Sequence, residues 1–89
     1  MARRNRLDIV FDMLCAIKDK GGKIKPTHLM YDANLSHKQL KKYVSELKKK
    51  GFVSEEPDDD SKLFVLERKG FVYISKIKEM REFEDTFGL

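Results

Sequence analysis

The sequence predicts a mainly α-helical domain with one small β-hairpin and an extended C-terminal helix. Three stretches carry this prediction. Residues 36–50 show amphipathic helical spacing between a start signal and a stop signal. Residues 52–66 contain two strand-like runs around a turn-forming stretch, and residues 68–87 return to helical spacing. A chain of 89 residues has the length of one small domain.

The central prediction is the helix over residues 36–50. Ser36 is a preferred N-cap, because its hydroxyl can accept a hydrogen bond from a free N–H of the first turn. Gln39 follows at the spacing of a capping box, and Gly51 marks the end, since glycine enters the left-handed region without a steric penalty. Helical spacing gathers four apolar residues on one side, which we expect to be buried: Leu40, Tyr43, Val44 and Leu47.

The opposite side of this helix is basic. A helix that packs by one face and exposes lysines on the other suits the major groove of DNA, whereas the alternative is an ordinary solvated charged face. Arginine and asparagine, the commonest bidentate readers of guanine and adenine, are absent from the helix. We therefore expect lysines to contact phosphates, and His37, Gln39 and Ser45 to read bases. The candidate DNA-contacting residues of this helix are His37, Lys38, Gln39, Lys41, Lys42, Ser45 and Lys49.

The segments before this helix complete a helix-turn-helix. Asn5 can cap a first helix, whose apolar positions recur at helical spacing over residues 9–17 and which stops at a glycine pair. Ile24 is a candidate for a very short strand. Pro26 suits the first turn of a second, short helix, and Asn34 tolerates the left-handed geometry of a tight turn. A short helix, a tight turn and a longer basic helix together predict a helix-turn-helix.

The segments after this helix predict a hairpin and a long last helix. Residues 52–56 and 62–66 are the two strands, and residues 57–61 form a loop of about five residues between them. This order of elements is that of a winged helix-turn-helix, with the hairpin tip as the wing. In the last helix, Phe71 and Ile74 share one side and are expected to close the core.

A heptad-like apolar stripe continues along the last helix. On a monomer it would leave an exposed apolar surface, which soluble monomers seldom keep. We therefore expect a homodimer through residues 76–89, an extension of a winged helix-turn-helix domain over residues 1–75. The alternative is that this tail folds back onto the first helix of its own chain. The candidate dimerisation residues are Tyr73, Ile77, Met80, Phe83 and Phe87.

The turn before the basic helix carries a family resemblance. Residues 30–36 read Met-Tyr-Asp-Ala-Asn-Leu-Ser, a run that resembles the archaeal winged helix-turn-helix family typified by the ten-a chromatin protein of Sulfolobus. Tyr43, Leu47 and the Leu-x-x-Lys-Gly run of residues 66–70 also fit that pattern, so the resemblance covers most of residues 6–75. It implies a winged-helix fold, DNA binding and dimerisation through a C-terminal antiparallel coiled coil.

The sequence departs from the family pattern at three places. The segment corresponding to the coiled-coil helix is short. The wing over residues 55–60 is acidic, and its carboxylates would repel phosphate. Glu67 stands where related sequences often have a hydroxyl residue able to cap the last helix. These departures affect the roles that the resemblance implies for the wing and for the C-terminal helix.

Composition permits an anionic partner and favours a location inside the cell. The net charge is +4 and the pI about 9.2, which permits nucleic-acid binding. The single cysteine, Cys15, excludes an intramolecular disulfide and favours a reducing compartment. No apolar run approaches the length of a membrane span, so we expect a cytoplasmic, chromosome-associated protein without membrane contact. Residues 1–4 are expected to form a frayed basic arm, which adds Arg3, Arg4 and nearby Arg6 to the candidate DNA-contacting residues.

No residue set in the sequence supports an enzyme, a cofactor or a metal site. His28 and His37 fall on different predicted helices, and no cysteine pair or histidine–carboxylate cluster has ligand spacing. We therefore predict a non-enzymatic protein that binds double-stranded DNA as a transcriptional regulator or chromatin component, with helix 36–50 in the major groove. The alternative is a winged-helix protein–protein interaction module in a transcription or repair assembly, which the acidic wing and the apolar C-terminal stripe favour.

Overall fold

The helices and strands follow the predicted order. The computed structural model describes residues 4–89, and its mainly helical architecture with a small antiparallel sheet confirms the predicted fold class. The elements are α1 (Arg6–Asp19), β1 (Lys23–Ile24), α2 (Pro26–Asp32), α3 (His37–Lys49), β2 (Val53–Asp58), β3 (Ser61–Leu66) and α4 (Arg68–Phe87).

α1 begins and ends at the predicted signals. The Asn5 side chain accepts a hydrogen bond from the Asp8 N–H at 2.8 Å, and the Asp8 carboxylate accepts from the Asn5 N–H at 3.2 Å, which completes a capping box. At the other end, the Gly22 N–H donates to the Ile17 carbonyl at 3.0 Å, with Gly22 at φ +97°. The inward side of α1, which includes Leu14 and Ile17, is fully buried and forms the centre of the core.

A tight turn joins α2 to α3. Pro26 occupies the first position of α2, as predicted, where its missing N–H leaves no hydrogen bond unmade. Asn34 has φ +54° and reverses the chain, and the Leu35 N–H donates to the Met30 carbonyl at 2.9 Å. Leu29 and Leu35 are buried on either side of this turn, so core packing holds the two helices of the predicted helix-turn-helix together.

The sheet is antiparallel with the strand order β1–β3–β2. β1 is the predicted short strand, and its Ile24 lies opposite the buried Phe64 of β3. The hairpin loop is shorter than predicted: Asp59 and Asp60 alone form it, instead of residues 57–61. Pro57 can stand inside β2 because this is an edge strand, where a nitrogen without a proton need not donate to a neighbour.

α4 begins at Arg68, as predicted, and closes the core. Its N-cap residue, Glu67, makes no side-chain capping bond; its carboxylate instead accepts from the Ser54 hydroxyl at 2.6 Å. Ile74 is buried, as predicted. Phe71 is 42% exposed, so the prediction that it closes the core is wrong.

Gly70 explains why Ile74 of α4 is buried and Phe71 is not. A Cβ atom at Gly70 would lie 2.6 Å from the Phe52 carbonyl oxygen and 2.5 Å from a methyl carbon of Leu66. Glycine therefore lets the helix approach the sheet closely, and Ile74, one turn later, lies on the same side. Phe71 is rotated by about 100° from Gly70 around the helix axis, which takes its ring out of this contact.

Candidate nucleic-acid interface

The position of α3 is fixed at its start by hydrogen bonds and along its length by packing. The Ser36 hydroxyl accepts from the Gln39 N–H at 3.1 Å, and the Gln39 side-chain oxygen accepts from the Ser36 N–H at 2.9 Å, so the predicted capping box is present. Gly51 has φ +77° just after the helix. Packing determines which side of α3 faces solvent, because the four predicted core residues are all buried: Leu40, Tyr43, Val44 and Leu47.

The exposed side of α3 is strongly basic. All seven residues predicted on this helix to contact DNA are exposed. Within residues 4–89, none of the ion pairs involves Lys38, Lys41, Lys42 or Lys49. The Lys42 ammonium lies 5.6 Å from the centroid of the Tyr43 ring, a weak contact at an exposed site. The charges of these four lysines are therefore available to an anionic ligand.

The three predicted base readers occupy different parts of this surface. Gln39 uses its side-chain oxygen in the capping box, which leaves its amide nitrogen as a donor toward a ligand. His37 and Ser45 both line a cleft between α3 and the hairpin. Each of the three side chains thus retains a group that can form a hydrogen bond to a base edge.

The cleft between α3 and the hairpin has a volume of about 450 Å³. Its apolar lining includes Leu40, Val44 and Phe64. Cationic side chains reach it from both walls, an arrangement that favours a negatively charged chain such as a nucleic-acid backbone. The lysines that line the cleft are Lys41, Lys48 and Lys49 on α3 and Lys62 on β3.

One carboxylate of the wing lies in this cleft. The Glu55 Oε1 atom is 3.0 Å from the Lys48 Nζ atom and 3.4 Å from the Lys62 Nζ atom. The hydrogen bond from Lys48 holds the pKa of the Glu55 carboxyl below its ordinary value, so Glu55 is ionised at neutral pH. Neither lysine is among the residues predicted from the sequence. Strand alternation could have identified Lys62, because it lies two residues from Phe64 and therefore on the same sheet face.

Arg4 is bound within the protein rather than part of a frayed arm. Its guanidinium donates to the carbonyls of Ala33 and Asn34, both at 2.6 Å, and to the Asp12 carboxylate at 3.1 Å. The prediction of a frayed end is therefore wrong for Arg4, because the carbonyls at the end of α2 provide acceptors that the sequence does not reveal. Arg3 lies outside the described residues.

Arg6 lies beside α3 but is paired with a carboxylate of that helix. Its Nη2 atom is 2.7 Å from the Glu46 Oε2 atom, in an ionic contact without the alignment of a hydrogen bond. Glu46 is rotated by about 100° from Ser45 around α3, toward the side where α1 lies. The Arg6 side chain is 57% exposed. Its pairing with Glu46 offsets the Arg6 charge at the flank of the basic surface.

The five predicted dimerisation residues divide into two groups. Tyr73 and Ile77 are half-buried against the core of their own chain, and the ring centroids of Tyr73 and Phe52 are 5.1 Å apart. These two of the predicted positions therefore pack against their own chain. The other three are well exposed, at 47%, 58% and 65%: Met80, Phe83 and Phe87.

Contacts between α4 and α1 continue beyond the predicted boundary at residue 75. The Arg81 Nη2 atom is 3.3 Å from the Asp8 Oδ1 atom, and the guanidinium lies 4.2 Å from the centroid of the Phe11 ring. The α4 helix thus lies along α1 as far as Arg81, as in the alternative in which the tail folds onto the first helix. Phe83 and Phe87, the exposed aromatic residues of the predicted stripe, follow after that point.

Residues 4–89 were compared with the requirements of a metal site and of a reactive thiol. In that part of the chain, no group of three or more His, Cys, Asp and Glu side chains is placed to hold a metal ion. Burial raises the pKa of the Cys15 thiol, which lowers its thiolate fraction at neutral pH. Among the described residues, no helix combines the length and the apolar character needed to cross a membrane.

The fold and its basic cleft define a winged helix-turn-helix protein. A family model of that description matches residues 3–85, and the chain belongs to the winged helix-turn-helix family. An uncharacterized protein from Methanocaldococcus jannaschii is 31% identical over 78 residues. These residues are 88% of this chain but 34% of that protein, so the chain spans well under half the length of this relative.

Solved structures share the fold at low sequence identity. Sso10a-2, a DNA-binding protein from Sulfolobus solfataricus, is 24% identical with a TM-score of 0.81, over 94% of this chain and 85% of that chain. A winged-helix DNA-binding protein from STIV is 18% identical with a TM-score of 0.75, over 92% of each chain. BpsR from Bordetella bronchiseptica is 20% identical with a TM-score of 0.76, over 90% of this chain and 60% of that chain. With the family match, these likenesses confirm the predicted resemblance to archaeal winged helix-turn-helix proteins.

Proposed function

We propose that this chain binds double-stranded DNA, as a transcriptional regulator or chromatin component, by inserting α3 into the major groove. The observation that carries the proposal is the exposed side of α3, where Lys38, Lys41, Lys42 and Lys49 have no carboxylate partner within residues 4–89. Four like charges that are not neutralised within the fold favour binding to a polyanion, because each phosphate contact releases condensed counterions from the DNA.

The dimensions of α3 support this mode of binding. A helix of 13 residues is about 20 Å long, and the major groove, about 12 Å wide, admits one helix. Lysines contact phosphates and position the protein, while sequence is read by His37, Ser45 and the amide nitrogen of Gln39. Since α3 contains no arginine or asparagine, we expect modest base specificity. The proposal does not rely on Arg4 or Arg6, whose charges are paired within the protein.

Two of the structural neighbours are described as DNA-binding proteins, Sso10a-2 and the protein from STIV. Their likeness to this chain supports the same function for it by analogy of fold. Because a fold hosts many functions, the lysines of α3 are stronger support than the neighbours. A winged-helix interaction module would share the fold without needing an unneutralised cationic side.

We also propose that the chain acts as a homodimer through the exposed part of α4. Residues 68–78 carry four cations and no carboxylate, whereas residues 79–85 carry four carboxylates and one arginine. This order is unfavourable for an isolated helix, because the dipole favours acidic residues at its start and basic residues at its end. Antiparallel pairing of two copies would bring the acidic end of one helix against the basic start of the other, and would cover three apolar side chains: Met80, Phe83 and Phe87.

Such a dimer bears directly on DNA binding. Antiparallel pairing of two copies generates a two-fold axis. The two copies of α3 can then enter successive major grooves if their separation is about 34 Å, one turn of the duplex. Residues 76–89 would in this arrangement be the dimerisation segment, although Ile77 also packs against the core and Arg81 pairs with Asp8 of α1 in the same chain.

The test of DNA binding is a charge reversal on α3. We expect Lys41→Glu, Lys42→Glu and Lys49→Glu together to abolish duplex binding, with each lost phosphate contact lowering the logarithmic salt slope by about 0.9. A matched triple change at exposed lysines that neither line the cleft nor belong to α4, Lys18, Lys20 and Lys25, alters net charge equally and should retain the slope. A triple α3 variant that binds like the unmutated protein would contradict the assignment. Absence of a salt-dependent duplex affinity in the unmutated protein would favour the interaction module.

A further inference from the structure

The acidic residues of the wing are divided between the two faces of the sheet. Glu55 lies opposite the buried Phe64 in the β2–β3 register, and directly opposed residues of antiparallel strands project to the same face. The Glu55 side chain is thus on the face toward α3. Glu56 follows on the other face, where its carboxylate is 2.7 Å from the Lys23 ammonium. Of these two neighbouring carboxylates, only one belongs to the cleft.

Glu55 holds two cleft lysines on a single oxygen atom. Lys48 from α3 and Lys62 from β3 approach its Oε1 atom from the two walls, at 3.0 Å and 3.4 Å. A DNA phosphate would offer these two ammonium groups the same kind of anionic acceptor oxygen. The remaining cleft lysines, Lys41 and Lys49, have no such partner in the described range.

The cluster is accessible enough to be replaced. The side chains of Lys48 and Lys62 are 44% and 50% exposed, and that of Glu55 is 28% exposed. Ion pairs at such exposed positions contribute little to stability. The Lys62 ammonium also lies 5.6 Å from the centroid of the Phe64 ring, a weak contact on the side of the cleft.

We propose that Lys48 and Lys62 are further DNA-phosphate contacts and that Glu55 competes with the phosphate for both. In the free protein Glu55 occupies the position of the phosphate. On duplex binding the two lysines exchange the carboxylate for the DNA backbone, and the uncovered carboxylate opposes the incoming charge. Glu55 thereby limits the affinity of the α3–wing cleft and the number of lysines that engage. This inference rests on the proposed DNA binding and adds a mechanism that sets its strength.

The test compares two substitutions that remove the same charge from adjacent residues. We expect Glu55→Gln to tighten duplex binding at low salt by about fivefold, the effect of one unit charge at about 4 Å in water. It should also steepen the logarithmic salt slope by about 0.9 for each additional phosphate that the lysines engage. Glu56→Gln, whose side chain faces away from the cleft, should change both quantities much less. Thermal melts of both variants establish that each is folded.

A third and a fourth variant identify the groups involved. In the Glu55→Gln background, Lys48→Met or Lys62→Met should remove the increase in affinity, whereas the same lysine changes in the unmutated background should have smaller effects. NMR of the Glu55 and Glu56 side-chain carboxyl carbons during duplex titration gives a second readout. The Glu55 signal should shift as its lysines leave, and the Glu56 signal should stay in place.

Failure of this inference can be distinguished from failure of the proposed function. If the unmutated protein binds duplex DNA with a salt slope and Glu55→Gln behaves like Glu56→Gln, the competition by Glu55 is wrong and the DNA-binding proposal stands. If neither the unmutated protein nor Glu55→Gln binds at low salt, both proposals are overturned. Binding that is measurable in Glu55→Gln and absent in the unmutated protein would support the competition in its strongest form.

Discussion

The contacts of Arg4 in the structure give it a different role from the one that its position in the sequence suggests. In the sequence it belongs to an N-terminal basic cluster and suggests a DNA-binding arm. In the structure its guanidinium joins the start of α1 to the carbonyls that end α2, 29 and 30 residues away in the chain. Carbonyls at a helix end lack intrahelical donors, so Arg4 satisfies acceptors that would otherwise depend on water. Its contribution is to hold the helix-turn-helix against α1.

We therefore predict that Arg4→Met destabilises the protein without removing a DNA contact. Hydrogen bonds from a charged donor are worth about 1.5–3 kcal/mol, and partial exposure of the side chain, 33%, reduces this to about 1–2 kcal/mol in the free energy of unfolding. Chemical denaturation measures the loss, with Arg6→Met as the control of equal charge. An unchanged unfolding free energy together with a lower DNA salt slope would show that Arg4 contacts phosphate after all.

At the scale of elements, one small residue determines how α4 docks on the body. Helical periodicity in residues 68–87 is compatible with more than one rotation about the axis, and the sequence predicts Phe71 and Ile74 on the buried side. The close approach of Gly70 to the Phe52 carbonyl selects a different rotation, which buries Ile74 and half-buries Tyr73. Backbone proximity outweighs the exposure of one aromatic ring here, because it brings the whole helix within packing distance of the sheet.

Gly70→Ala tests this docking. By helix propensity alone, alanine should stabilise an α-helix by about 1 kcal/mol relative to glycine. The added Cβ would lie 2.6 Å from the Phe52 carbonyl oxygen, which belongs to the backbone and moves little. We expect a net loss of about 1–3 kcal/mol, the usual cost of overpacking, measured by thermal or chemical unfolding. Ser75→Ala, at an exposed site of the same helix, is the control and should be neutral or slightly stabilising. A Gly70→Ala variant as stable as the control would mean that α4 docks less tightly.

The molecule as a whole is elongated by its last helix. Its extents are 49 × 29 × 22 Å and its radius of gyration is 13.6 Å, whereas a compact domain of this length has about 12 Å. α4, with 20 residues, is about 30 Å long and extends beyond Arg81, which contacts Asp8 and Phe11 of α1. The rings of Phe83 and Phe87, 4.8 Å apart, lie at this protruding end and leave an apolar surface on a single chain.

We predict that this end mediates dimerisation. Met80→Asp with Phe83→Asp should convert the homodimer into a folded monomer with weaker duplex binding, because each charge would have to be buried in the dimer contact and the second α3 is lost from the complex. Ser75→Asp with Thr86→Asp, at exposed positions away from the stripe, adds the same charge and should leave the dimer intact. Light scattering over a concentration series measures the change. A monomer for the unmutated protein throughout that series would reject the dimer.

Local signals in the sequence were sufficient to determine the helices and the face of α3. The capping boxes at Asn5 and Ser36 each join residues three positions apart, and apolar periodicity acts within one or two turns. Interactions between residues so close in the chain can be predicted from the sequence alone. The element order, the helix-turn-helix, the burial of Leu47 and the exposure of Lys41 followed from it.

Tertiary structure alone decided the partners of the charged and aromatic residues. Glu55 lies in the cleft because strand register and the packing of β2 on α3 bring it to Lys48 and Lys62, and the same register shortens the hairpin loop. Whether Tyr73 serves the core or a partner likewise depends on the docking of α4, at which Phe52 comes to lie against its ring. Some of these contacts join residues that are distant in the chain. Others depend on a helix rotation or a strand register that apolar periodicity does not determine. Packing of the assembled core therefore selects one rotation and one register among those that the local sequence pattern permits.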